Sequence, residues 1–163
     1  MNSYIKVINP FLATYSCSRE DFFRMLKVEE YTQEDASKII DFIRKIQPAA
    51  EPDKQILSRS VLIKDNEDIV GMVSYESHDD MGIIRYFLYN ASITRTDIVV
   101  GMFFELYKKA RENGVKRLIA RVTNREVGVL FEMLGFVRVT NDGTNLAGIT
   151  GDDVKIMLIN LES

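Results

Sequence analysis

The chain has little of what the commonest catalytic sites are built from. Its 163 residues include one cysteine and one histidine. The lone Cys17 excludes a disulfide within the chain and reads as a buried or idle thiol, so a reducing, cytoplasmic setting is expected. The lone His78 excludes a two-histidine metal site and leaves no Ser-His-Asp or Cys-His set, so no metal is expected. Long apolar runs are missing too. Nothing reaches the roughly 20 residues of a membrane helix, and MNSYIKVINPFLATYS lacks the apolar core and cleavage site of a secretory leader. No membrane partner is expected. The net charge of −3 argues against a protein that binds nucleic acid by neutralising phosphates, although a local basic patch survives such an average.

What is present describes a soluble globular chain, 46% hydrophobic and 28% charged. Its length fits a single domain over residues 1–163, with 1–24 read as an N-terminal extension covering one side. Within that extension Tyr4–Ile8 is a short apolar run, and Ser18–Asp21 caps a helical turn through Phe22, Phe23 and Met25. Met25–Tyr31 alternates as a strand. Thr32–Asp35 caps a helix whose face is Ala36, Ile39, Ile40, Ile43 and Ile46, and Pro48 ends it. The polar connector Pro48–Ser60, with one helical turn at Asp53–Leu57, reads either as a substrate-side loop or as a plain crossover. Val61–Lys64 and Ile69–Glu76 form a hairpin, and a turn at Ser77–Asp80 leads to the strand Gly82–Tyr89.

The rest of the chain is organised around Gly82–Gly135. A helix over Asp97–Asn113 buries Val99, Met102, Phe103, Leu106 and Ala110, and Asn113-Gly114 closes it. Val115–Val122 is a strand. Asn124 caps a helix with Val127, Leu130, Phe131 and Leu134 inward, and Gly135 ends it before a strand at Phe136–Val139. A turn-rich loop and a last strand at Val154–Leu161 follow. The predicted fold class is therefore α+β, a mixed and mostly antiparallel central sheet with helices on both faces. The junction Asn90–Val99, from strand end to helix start, is the predicted anion seat, since a helix N-terminus has unpaired N–H groups and about half a positive charge.

The stretch GVKRLIARVTNREVGVLFEMLGFVRV, with Asn124 opening a helix that closes on Leu134-Gly135-Phe136, resembles the GNAT superfamily of N-acetyltransferases. The resemblance covers about Leu26 to Leu161 by element order, and Gly82 to Phe136 by residue pattern. It implies acetyl-CoA as acyl donor and a primary amine of a small molecule or peptide as acceptor, attacking directly. It also implies that Gly82–Tyr89 and Val115–Val122 splay apart. The pantetheine arm then pairs with the main chain of Phe87, Leu88 and Tyr89, as an added strand would. The pyrophosphate would lie on Thr94, Arg95, Thr96, Asp97, Ile98 and Val99, with Asn124 and Phe131 also toward the cofactor.

Two departures from the family pattern stand out. The family's Arg/Gln-x-x-Gly-x-Gly/Ala loop falls here on Thr94, Asp97 and Val99. The branched Val99 hinders close backbone approach, and Asp97 or Thr96 is expected to cap the helix and occupy donors that a phosphate needs. Arg95 would compensate at a phosphate oxygen. An ordinary helix cap explains Thr94–Asp97 equally well. The family's Tyr general acid falls on Phe131, which has no proton to give. Glu76, at the end of the middle meander strand, is the one candidate for a general base working through water. Two further readings stay open: a GNAT-fold binding or regulatory module without transfer chemistry, and a homodimer formed through exposed sheet edges.

Overall fold

Each period-2 stretch of the sequence becomes a strand, and each 3.6-residue stripe a helix laid over them. A computed structural model of the chain describes residues 26–90, 95–139 and 155–161. The readings at Tyr4–Ile8, Cys17, Ser18–Met25, Thr94 and the loop after Val139 fall outside those residues. Strands β1 (Leu26–Glu30), β2 (Ser60–Asp65), β3 (Asp68–His78), β4 (Met81–Tyr89), β5 (Arg117–Val122), β6 (Val137–Arg138) and β7 (Lys155–Asn160) form one sheet, ordered β1-β2-β3-β4-β5-β7-β6. Among the described residues β4 and β5 are the only parallel neighbours.

Among the described residues four helices cover the sheet: α1 (Ala36–Ile46), the short α2 (Lys54–Leu57), α3 (Thr96–Glu112) and α4 (Arg125–Met133). Strand alternation sorts side chains between two cores. Val61, Ile63, Val73, Tyr75, Phe87 and Tyr89 face α3 and α4, meeting Val99, Met102, Phe103 and Leu106. Leu62, Met72 and Leu88 face the other way, onto Ile39, Phe42 and Ile43 of α1 and Leu57 of α2. Phe103 stands edge-on to Phe87 and Phe131, with ring centres at 5.0 and 5.4 Å, and Phe131 to Phe136 at 4.8 Å. Such pairs add about 0.5–1.5 kcal/mol each beyond burial, and they tie α3 and α4 to β4.

Local chemistry sets the ends of the elements. Gly114 takes φ +83°, and Val115 N–H donates to the Ala110 carbonyl at 2.9 Å, closing α3. That bond holds Val115 in the cap, so β5 starts at Arg117 rather than at the expected Val115. Gly135 repeats the device with φ +98°, Phe136 N–H reaching the Phe131 carbonyl at 3.0 Å. The expected turn Ser77–Asp80 is corrected to two residues, Asp79 and Asp80, because His78 pairs with Met81 and Asp79 accepts φ 56°. β3 consequently extends past Glu76, with Ser77 and His78 inside the strand.

The start of α1 is held by a buried polar cluster. Thr32 N–H donates to Asp35 Oδ2 at 3.0 Å, and Lys64 Nζ lies 2.8 Å from Asp35 Oδ1. Burial pushes the Asp35 carboxyl up, but Lys64 and Thr32 together hold it below its ordinary value.

Candidate active site

The cleft begins where β4 and β5 cease to pair. Met81, Gly82 and Ile83 stand opposite Arg117, Leu118 and Ile119, and no pairing follows, although β4 runs on to Tyr89 and β5 to Val122. Gly82 permits this close start: a Cβ there would sit 2.7 Å from Leu118 and 2.9 Å from Tyr75. Just beyond, Ser74 faces Tyr86 while Tyr75 faces Ile84, so Arg85 is an extra residue in β4. A bulge of this kind bends the strand and re-aims its side chains. The two strands therefore part, and β4 keeps an edge from Ile84 onward that β5 does not cover.

A cleft of about 70 Å³ lies in the gap. Ile84, Arg85 and Phe87 form one wall, Ala120–Val122 the other, and Thr123, Asn124, Val127 and Phe131 the side toward α4. Asn124 is brought here as the cap of α4, its Oδ1 accepting from the N–H of Glu126 at 2.8 Å and Val127 at 3.3 Å. Phe87 and Phe131 border the same space, their rings 5.8 Å apart at 82°. Leu88 and Tyr89 send their side chains into the two cores, leaving only backbone to any ligand.

The start of α3 differs from expectation. Arg95 is the capping residue, with no side-chain cap bond, so neither Thr96 nor Asp97 caps the helix. Asp97 instead turns back on Arg95, Oδ2 to Nη2 at 2.7 Å and Oδ1 to Nε at 3.3 Å. The Arg95 hydrogen bond pulls the Asp97 carboxyl below its ordinary value against a desolvation effect, and its own and the Ile98 N–H add to the lowering. The geometry is local: residues 95 and 97 bracket the first turn, where the dipole favours an anion. Val99 is buried in the α3 core, so its branch packs inward rather than toward the loop. Ile98 packs partly against the same core.

Glu76 lies at the cleft's edge through Arg85. Its Oε1 is 2.5 Å from Arg85 Nε and its Oε2 is 2.6 Å from His78 Nε2. Arg85, more than His78, holds this carboxylate below its ordinary range. Arg85, Arg121 and Thr123 were not singled out from sequence. The only signal for Arg85 is a charged residue breaking the apolar run of IIRYFLY, which a solvent-facing strand position explains as well. Among the described residues no three His, Cys, Asp or Glu side chains gather as a metal site, and no helix is long and apolar enough to cross a membrane.

A seven-stranded mixed sheet of this order, opened between β4 and β5, is the GNAT acetyltransferase fold. No family profile and no curated protein matches the sequence. Solved structures do match. N-acetylglutamate synthase from Neisseria gonorrhoeae, in complex with coenzyme A and N-acetyl-glutamate, superposes with TM-score 0.65 and 17% identity over 85% of this chain, which spans 36% of that protein. The ribosomal-protein-S18-alanine N-acetyltransferase of Escherichia coli gives 0.63 and 15%, covering 85% of this chain and 96% of that one. A GNAT-family acetyltransferase from Staphylococcus aureus Mu50 gives 0.59 and 14%, covering 84% and 99%. At these identities the likeness is one of fold.

Proposed function

We propose that the chain transfers an acetyl group from acetyl-CoA to a primary amine of a small molecule or peptide, by direct attack and without an acyl-enzyme. The observation that carries this reading is the parting of β4 from β5 at Ile83/Ile119 beside the Arg85 bulge, which leaves a strand edge open at an apolar cleft. A pantetheine arm carries amides that can pair with such an edge, as strands add to sheets. Phe87, Val127 and Phe131 exclude water along its apolar flank. Neighbours of this fold include one bound to coenzyme A and one named for acetylating an alanine of a ribosomal protein, which supports an amine acceptor.

The chain's own residues define the proton traffic. The incoming amine must lose a proton, and Glu76 receives it through water. Its lowered affinity for protons, caused by Arg85, makes it a weak base that stays ionised. The departing thiolate takes a proton from water, because Phe131 stands where the family places a Tyr. A missing general acid costs about 10²–10⁴ in rate, so slow turnover is expected rather than none.

The Arg95–Asp97 pair and Phe131 favour a second reading, a module of this fold that binds without transferring. Thermal unfolding with millimolar acetyl-CoA, coenzyme A or a nucleotide control separates the two when followed by a thiol-release assay over amines. A ligand at one hundred times its Kd stabilises the folded state by about 2.7 kcal/mol. A shift with acetyl-CoA and thiol release with any amine supports the transferase. A shift without release supports the module, and no shift overturns acyl-CoA binding altogether.

A further inference from the structure

The chain's one histidine stands against the carboxylate that the transfer reading uses as its base. Glu76 and His78 are two residues apart in β3, so both side chains leave the same face of the sheet. Each carboxylate oxygen has its own partner. Oε1 meets Arg85 Nε, and Oε2 meets His78 Nε2 at 2.6 Å. The fold fixes both ends of this row of contacts. Arg85 is the extra residue of the β4 bulge, with no β3 residue opposite it, and it reaches back along the hairpin to Glu76. His78 is held by its pairing with Met81 across the two-residue turn. Lys116 N–H ties that turn to the approach to β5, donating to the Asp80 carbonyl at 2.7 Å. Further charged side chains at this end of the sheet are Asp79 and Asp80 in the turn, and Arg117, opposite Met81. The Glu76 side chain is 29% exposed and the imidazole 48%, so the row leads outward from the cleft's edge to solvent.

Two bare lone pairs 2.6 Å apart would repel, so a proton lies between Oε2 and Nε2. Imidazoles take up protons near neutral pH, whereas a carboxylate paired with a guanidinium sheds them. We infer that the proton drawn from the amine does not stay on Glu76 but crosses to His78. Water delivers a proton to Oε2, Oε2 passes it to Nε2, and the ring releases its other proton, on Nδ1, to bulk solvent. Glu76 ends ionised, the ring ends neutral, and one proton has left the site. Tautomer exchange through solvent at the exposed ring restores the starting state. His78 touches no substrate: it positions Glu76 and empties it. This inference rests on the acetyl-transfer reading above and adds to it where the proton goes.

The test follows kcat against pH, with acetyl-CoA and the fastest amine of the thiol-release assay, for wild type, His78→Gln and His78→Ala. Wild type is expected to lose rate as pH falls through the imidazole range, because a ring already charged takes up no further proton. His78→Gln keeps an N–H donor for Glu76 but carries no proton. Its kcat should fall about 10²-fold, the lower end for a group that moves protons, with KM little changed and the loss of rate near neutral pH gone. His78→Ala should fall as far, and added imidazole should restore part of its rate, a gain that misfolding cannot produce. Wild-type kcat and pH profile in His78→Gln overturn the relay, as does a loss in His78→Ala that imidazole does not relieve. The acetyl-transfer reading stands in both cases. Acetyl-CoA should raise the melting midpoint equally in all three proteins. If the variants lose that shift, their slowness lies in donor binding and the relay is overturned. If wild type releases no thiol with any amine, the relay and the transfer reading fall together.

Discussion

Asp35 and Asp97 both stand at a helix start beside a cation, yet they belong to different parts of the molecule's economy. Asp35 is 4% exposed, and its partner Lys64 comes from a neighbouring strand, so their bond joins α1 to the sheet. The Asp97 side chain is 66% exposed, and its partner Arg95 is two residues away. A contact across elements constrains the fold, whereas one within a single turn constrains little beyond that turn. The closed half of the sheet therefore carries stability in its polar groups. At the start of α3, by contrast, the exposed pair is free to change with little cost to folding.

The sharpest way to break that contrast is Asp35→Ala. Leaving Lys64 without its buried partner is expected to cost about 3 kcal/mol, read as a lower denaturant midpoint at unchanged slope. Loss of under 1 kcal/mol would place Asp35 with the surface carboxylates. Asn124→Ala should cost about 1 kcal/mol, since it removes a cap that accepts from two N–H groups. Asp97→Ala should cost about 0.5 kcal/mol or less, because solvent screens an exposed pair. A cost for Asp97→Ala equal to that for Asp35→Ala would erase the distinction.

Acid titration sharpens the same comparison. Both carboxyls titrate in the folded state below the ordinary carboxylate range, Asp35 held down by Lys64 and Thr32 and Asp97 by Arg95. Each contribution is thus complete above that range and is lost as pH falls through the lower folded-state value. Stability measured from pH 6 down to pH 2 should fall steeply in wild type, and Asp35→Ala should flatten the fall more than Asp97→Ala. The hydrogen bond with Asp35 raises Lys64 above the ordinary lysine value, so its contribution is complete below that ordinary value and fades as pH rises through the folded one.

Much of the fold was legible in the chain because its signals are local. Asn113-Gly114 and Leu134-Gly135 mark helix ends through a backbone conformation that glycine adopts without strain, and both ends stand where the sequence places them. Asn124 before an amphipathic stretch marks a helix start, and its cap bonds are present. Less of the candidate site could be read. The extra residue at Arg85 is set by pairing with β3, and an arginine in a strand has no local mark of a bulge. Arg95 and Asp97 were read as a phosphate contact and a cap, because sequence spacing permits either bond as readily as the pair they form. Arg125, Arg138 and Lys155 are scattered along the chain, and only the α4–β6–β7 packing brings them to one groove.

By itself the sequence determined the described strands and helices, the cap at Asn124, the glycine ends at Gly114 and Gly135, and which face of each element is apolar, since propensity, periodicity and turn chemistry act over a few neighbouring residues. The tertiary structure alone decided where β4 leaves β5, which backbone edge stays open, and that Arg125, Arg138 and Lys155 line one groove. Those features depend on register and packing between segments far apart in the chain, and the same local pattern is compatible with more than one outcome.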